Sequence, residues 1–133
     1  YSVMQDAMKL LRPGVSLHEY HKQVGELMTK QLLDLNLLDK HDVSKQSAAS
    51  PAYKKYFMHG TSHFIGLDVH DVGHWQNPIQ SGNVFTCEPG IYIPSEGLGI
   101  RLENDLVITD DGFVDLMAHI PLMAEAIEEG MNS

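Results

Sequence analysis

Apolar residues recur every three or four positions over the first 35 residues, and beyond residue 60 they alternate or run in short blocks. The first regime predicts a helix over 2–11, with Val3, Met4, Ala7, Met8 and Leu11 on one face. Pro13-Gly14 stops it, since proline breaks the hydrogen-bond ladder and glycine turns readily. Ser16 followed by Glu19 reads as a capping box opening a second helix, whose apolar face is Leu17, Tyr20, Val24, Leu27, Met28, Leu32 and Leu35. Residues 36–52 are polar and irregular and read as a loop, followed by a helical turn near Tyr53 to Phe57. Strands are expected at 63–69, 83–88, 91–93, 100–108 and 113–115, divided by Gly, Pro, Asn and Asp turns. Pro121 is expected to open a last helix reaching about Glu129. Helices followed by several short strands predict an α+β fold with a mainly antiparallel sheet packed on the helices.

At 133 residues the chain is one domain or part of one. A hydrophobic share of 43% and a charged share of 20% speak against disorder. The net charge of −9 disfavours nucleic acid or an anionic membrane as partner, since like charges repel. Cys87 is the only cysteine, which rules out an internal disulfide and predicts a reducing, cytoplasmic setting. Nothing reads as a signal peptide, and no apolar run approaches the roughly 20 residues that span a bilayer. Tyr1-Ser2 already lies in a helical pattern, so the chain is expected to be a trimmed piece of a longer protein.

Within this frame three metal-ligand types follow one another along the β region: His63, Glu88 and Glu103. One imidazole and two carboxylates suit a hydrolytic metal such as manganese, cobalt, iron or zinc. Four of the eight histidines, His59, His63, His70 and His74, fall within sixteen residues. A lone histidine is more often a surface or capping residue; clustering beside two strand-borne glutamates favours a site. On an unbroken strand His63 and His70 would face opposite ways, and a turn or bulge at Gly66 would bring them together. His18, His21, His41 and His119 lack such company and read as structural. Glu88 precedes Pro89-Gly90, a rigid turn that fixes a carboxylate at a strand end. Alternation places Arg101, Glu103 and Asp105 on one strand face, which is either a site or a solvated edge with weak ion pairs.

The segments HGTSHFIGLDVHDVG (59–73), GNVFTCEPGIYIP (82–94) and GIRLENDLVIT (99–109) resemble the pita-bread metallopeptidases, in order and without large gaps. Ser62-His63 and the short gap between the glutamate motifs are closer to the aminopeptidase P branch than to prolidase. The resemblance implies the second half of a pita-bread fold, with residues 1–133 the C-terminal part of the catalytic domain. The domain's first half and the amino-terminal domain would be absent. It implies that His63, Glu88 and Glu103 are metal ligands, that Glu88 is also general base, and that His59 and His70 steady the substrate carbonyl. Arg101 would brace the carboxylates, with His74 and Tyr92 on the pocket wall. The implied cofactor is a divalent metal, manganese above others, as two ions in the intact enzyme.

The implied activity is removal of an N-terminal residue preceding proline, from peptides with proline in second position. The alternatives are an Xaa-Pro dipeptidase and a non-catalytic binding module. The family draws two further aspartate ligands from upstream strands, whereas Asp6, Asp34, Asp39 and Asp42 lie in helix or loop. Two adjacent divalent ions carry about four positive charges, and the chain offers two carboxylates against them. It is therefore expected to hold at most one ion weakly, to be inactive or nearly so alone, and to self-associate as a homo-oligomer through uncovered apolar surface.

Overall fold

The structure, a computed structural model, describes residues 1–132. Helix α1 (Ser2–Leu10) buries Val3, Met4, Ala7 and Met8, and the chain leaves it at the buried Leu11. Helix α2 (Leu17–Asp34) starts where the Ser16 hydroxyl accepts the Glu19 N–H, and it buries Leu17, Tyr20, Val24, Met28 and Leu32. Five strands follow: β1 (Val84–Cys87), β2 (Gly90–Ile93), β3 (Leu98–Arg101), β4 (Asn104–Thr109) and β5 (Gly112–Asp115). They form two antiparallel sheets, β1-β4-β5 and the β2-β3 hairpin. Strand β4 alternates as its sequence does, with Asn104, Leu106 and Ile108 inward. Phe85, Cys87, Leu106 and Ile108 join the residues of α1 and α2 in one core. Each large apolar side chain so buried stabilises the fold by about 1.5–3 kcal/mol.

Several sequence expectations are corrected. The expected strand 63–69 does not form: Phe64 makes a single bridge to Phe85 and the chain then curls. The Asp71 N–H donates back to the Phe64 carbonyl at 3.3 Å, and the Asp71 carboxylate accepts the N–H groups of Val72 and Asp68. A Cβ at residue 66 would overlap that carboxylate, so the curl requires Gly66. The expected strand 100–108 is cut in two. Cys87 pairs with Asn104 in one sheet and Gly90 with Arg101 in the other, so Glu88-Pro89 and Leu102-Glu103 are opposed crossings between the sheets. The single strand expected to carry Arg101, Glu103 and Asp105 is interrupted there, although Arg101 and Glu103 still meet in an ion pair.

The region expected as loop holds a short helix, α3 (Lys40–Ser44), which carries a reciprocal capping box between Asp39 and Asp42. The turn expected at 53–57 is a 3-10 turn at Ala52–Lys55. The last helix, α4 (Ala124–Met131), starts three residues after Pro121. Leu35, expected on the inner face of α2, is 57% exposed, beyond the helix end at Asp34. No helix among the described residues is long and apolar enough to cross a membrane.

Candidate metal centre

The two sheet crossings set the level of the site. Glu88 follows β1 directly, is 8% exposed, and donates its backbone N–H to the Thr61 carbonyl at 2.8 Å. His63 lies beside it because segment 60–63 runs along the end of β1. Thr86 N–H donates to the His63 carbonyl, and the Thr86 hydroxyl accepts the His63 N–H, both at 3.1 Å. The imidazole is oriented in turn: its Nδ1 lies 2.9 Å from the Phe64 carbonyl. A carbonyl only accepts, so Nδ1 carries a proton, and in the neutral ring Nε2 keeps its lone pair. That Nε2 is 3.4 Å from Glu88 Oε1. This is the second-partner arrangement that fixes tautomer and orientation in metal-binding histidines.

The curl at Gly66 brings His70 against His63, ring centroids 4.4 Å apart and nearly perpendicular. One donor atom each from His63, His70 and Glu88 lie within 4.8 Å of one another. Glu103 stands outside that trio and joins it through Arg101. The guanidinium reaches Glu88 Oε2 with Nη1 at 3.6 Å and Glu103 Oε2 with Nε at 3.8 Å. The cleft around these groups has a volume of about 430 Å³ and is lined by His21, His59, His63, His70, Glu88 and Arg101, with Trp75 at its wall. His59 is held at both ring nitrogens: Nδ1 donates to the Gly60 carbonyl at 2.7 Å, and Nε2 meets the Tyr92 hydroxyl at 2.8 Å. Tyr92 thus touches the site through His59. His74 is exposed and is not among the residues lining the cleft, where its neighbour Trp75 stands.

His21 is the residue that sequence reasoning passed over. It lies next to the fully buried Tyr20 on α2, at the border of the apolar stripe, and its Nδ1 accepts the Thr61 N–H at 3.3 Å. Burial lowers its pKa, with a smaller push from His18. Its place on the boundary of an amphipathic helix was the available signal. Behind the site Cys87 is buried and free, its thiol pushed up to about 12, chiefly by burial.

An α+β chain that brings two imidazoles and a carboxylate together where two sheets cross carries a donor set of the kind that metal-dependent hydrolases use. The chain is a member of metallopeptidase family M24, whose family model matches residues 1–110. It is 39% identical to the Xaa-Pro aminopeptidase of Escherichia coli (strain K12), over 94% of this chain and 31% of that protein. It is 35% identical to human Xaa-Pro aminopeptidase 3, over 96% of this chain and 27% of that protein. Among solved structures, aminopeptidase P from E. coli with the inhibitor Pro-Leu superposes with a TM-score of 0.84 at 36% identity, covering 98% of this chain and 32% of that one. Proline aminopeptidase P II from Yersinia pestis gives 0.84 at 34%, covering 98% and 33%. The chain therefore spans about a third of the length of these relatives, and its fold is that of part of the pita-bread peptidase.

Proposed function

We propose that this chain is part of the catalytic domain of an Xaa-Pro aminopeptidase, which removes the N-terminal residue of peptides with proline second. The observation that carries this reading is the convergence of His63, His70 and Glu88 within 4.8 Å, in a chain 39% identical to such an enzyme. The donor set fits a divalent metal, because the Phe64 carbonyl commits the Nδ1 proton of His63 and leaves Nε2 as ligand toward the Glu88 carboxylate. His63 and Glu88, with Glu103 brought alongside by Arg101, would hold the metal, manganese in our reading. When bound, such an ion lowers the pKa of a water and polarises the peptide carbonyl.

The chain's own residues do the rest. Glu88 takes a proton from the attacking water, and its rigid backbone anchor at Thr61 keeps it in reach. His70 donates a hydrogen bond to the carbonyl oxygen as charge builds there, and His59, held by the Gly60 carbonyl and the Tyr92 hydroxyl, lines the same side of the site and orients Tyr92 toward the substrate. Arg101 keeps the two carboxylates in register. Two carboxylates offset about half the charge of two divalent ions. The full centre thus takes further ligands from polypeptide outside these residues, and the chain alone holds at most one ion weakly, without turnover. A single buried thiol suits the reducing cytoplasm, where we place the protein.

Titration calorimetry with Mn²⁺ tests the site: one weak event is expected, abolished by Glu88→Gln, and two tight sites per chain would overturn the half-site. The full-length gene product is then offered Xaa-Pro dipeptides and longer Xaa-Pro peptides. Release of the first residue from the longer ones is expected. Cleavage confined to dipeptides would make the enzyme a dipeptidase, and cleavage of neither by metal-loaded protein would leave a peptide-binding module.

A further inference from the structure

Two neighbouring side chains of α2 grip the segment that carries His59 and His63. Tyr20, fully buried, accepts the hydroxyl hydrogen of Ser62 at 2.9 Å, donor to acceptor. His21 accepts the Thr61 N–H on Nδ1, so the neutral ring carries its proton on Nε2. The same ring lies under Gly60, where a Cβ would come within 3.4 Å of His21 Cε1. On its other side the segment is tied to β1 by the bonds from Glu88 N–H to Thr61 and from Thr86 N–H to His63.

Thr61 is therefore joined at both ends. Its amide goes to His21, and its carbonyl receives the amide of Glu88. Segment 58–63 has no helix or strand of its own, whereas α2 is locked into the core by Tyr20, Val24, Met28 and Leu32. Its bonds to β1 leave one side open, and α2 closes that side. Binding groups must be held to about 0.5 Å for a productive site, and rigid elements do this better than loops.

Resting on the metal-site reading above, we infer that His21, seconded by Tyr20, is a positioning residue: through Thr61 it holds His63 and Glu88 at the separation at which they share one ion. It acts through the backbone of another residue and takes no part as a ligand. A histidine whose only task was packing would be replaceable by any side chain of similar bulk. A histidine that positions needs an acceptor where Nδ1 stands, and the Oδ1 of an asparagine occupies that place.

The test titrates Co²⁺ into the 133-residue chain and its variants, reading calorimetry and the visible absorption of bound cobalt. His21→Leu is expected to weaken cobalt binding about 10–100-fold, the usual effect of losing an outer partner, and to alter the absorption. His21→Asn is expected to restore most of the affinity and the spectrum. Amide exchange followed by NMR is expected to speed up at Thr61 and Glu88 in His21→Leu and to return in His21→Asn. Unchanged cobalt affinity in His21→Leu, or a His21→Asn variant no better than it, would overturn the positioning role. If His21→Leu does not fold, His21→Gln, whose acceptor sits where Nε2 does, replaces it against His21→Asn. If His63→Ala binds cobalt as tightly as the unsubstituted chain, or none of the chains binds it, the metal-site reading itself fails and the positioning role falls with it.

Discussion

Tyr20→Phe removes one oxygen from the centre of the fold and leaves the ring in place. The hydroxyl lost is the acceptor for Ser62 Oγ at 2.9 Å and lies 3.8 Å from Cys87 Sγ. Ser62 is 4% exposed at the edge of the cleft, so water replaces the lost partner poorly. An orphaned buried hydroxyl costs about 1–3 kcal/mol, and the long sulfur contact adds little to that. Ser62→Ala alone is milder, about 1 kcal/mol, because the Tyr20 hydroxyl keeps Cys87 beside it. The double variant has no orphaned group on either side. The two changes are thus expected to couple, the double variant being about 1–2 kcal/mol more stable than the sum of the singles. For a chain of this size about 2 kcal/mol moves Tm by roughly 6–8 °C, well within calorimetric resolution. Urea unfolding followed by circular dichroism, with m checked for constancy, supplies the four free energies of the cycle. Strict additivity, with coupling below about 0.5 kcal/mol, would refute the bond and with it the second grip of α2 on the metal-ligand segment.

Cys87 has no exposed surface and a thiol pushed up to about 12, so a disulfide reagent at pH 8 is expected to label it no faster than the chain unfolds; rapid labelling of native protein would contradict its place in the core. The lowered pKa of His21 makes stability fall in acid: above its ordinary value of 6.5 both states are neutral, and as pH drops the unfolded chain binds the proton first. Urea midpoints at pH 7.5 and 5.5 are expected to differ less in His21→Asn than in the unsubstituted chain; equal differences would exclude His21 as a contributor. Leu98 and Ile100 on β3 are 46% and 60% exposed, and the β2-β3 hairpin pairs with no third strand among the described residues. Self-association at high concentration is expected by light scattering, and a monodisperse monomer would count against it.

The helices were legible because burial on one side of a helix leaves a local trace, the 3.6-residue period of Val3, Ala7 and Leu11 or of Tyr20, Val24 and Met28. Strand β4 was legible for the same reason at period two, and the chemical types at 59, 63, 70, 88 and 103 are plain in any reading of the chain. What those residues do together was decided elsewhere. A β-like run from His63 to Val69 becomes a curl in which the Asp71 N–H returns to the Phe64 carbonyl and the Asp71 carboxylate takes the Asp68 amide, groups that a strand partner would otherwise have engaged. The run through Arg101, Glu103 and Asp105 breaks because its ladder partners lie in two different sheets, and local periodicity carries no record of partners about eleven to nineteen residues away. Hence residue types and helical faces belong to the sequence alone. The tertiary fold chose His70 as the third close donor, reached Glu103 through Arg101, and set His21 behind Thr61, because hydrogen-bond partners distant along the chain determine where each of them stands.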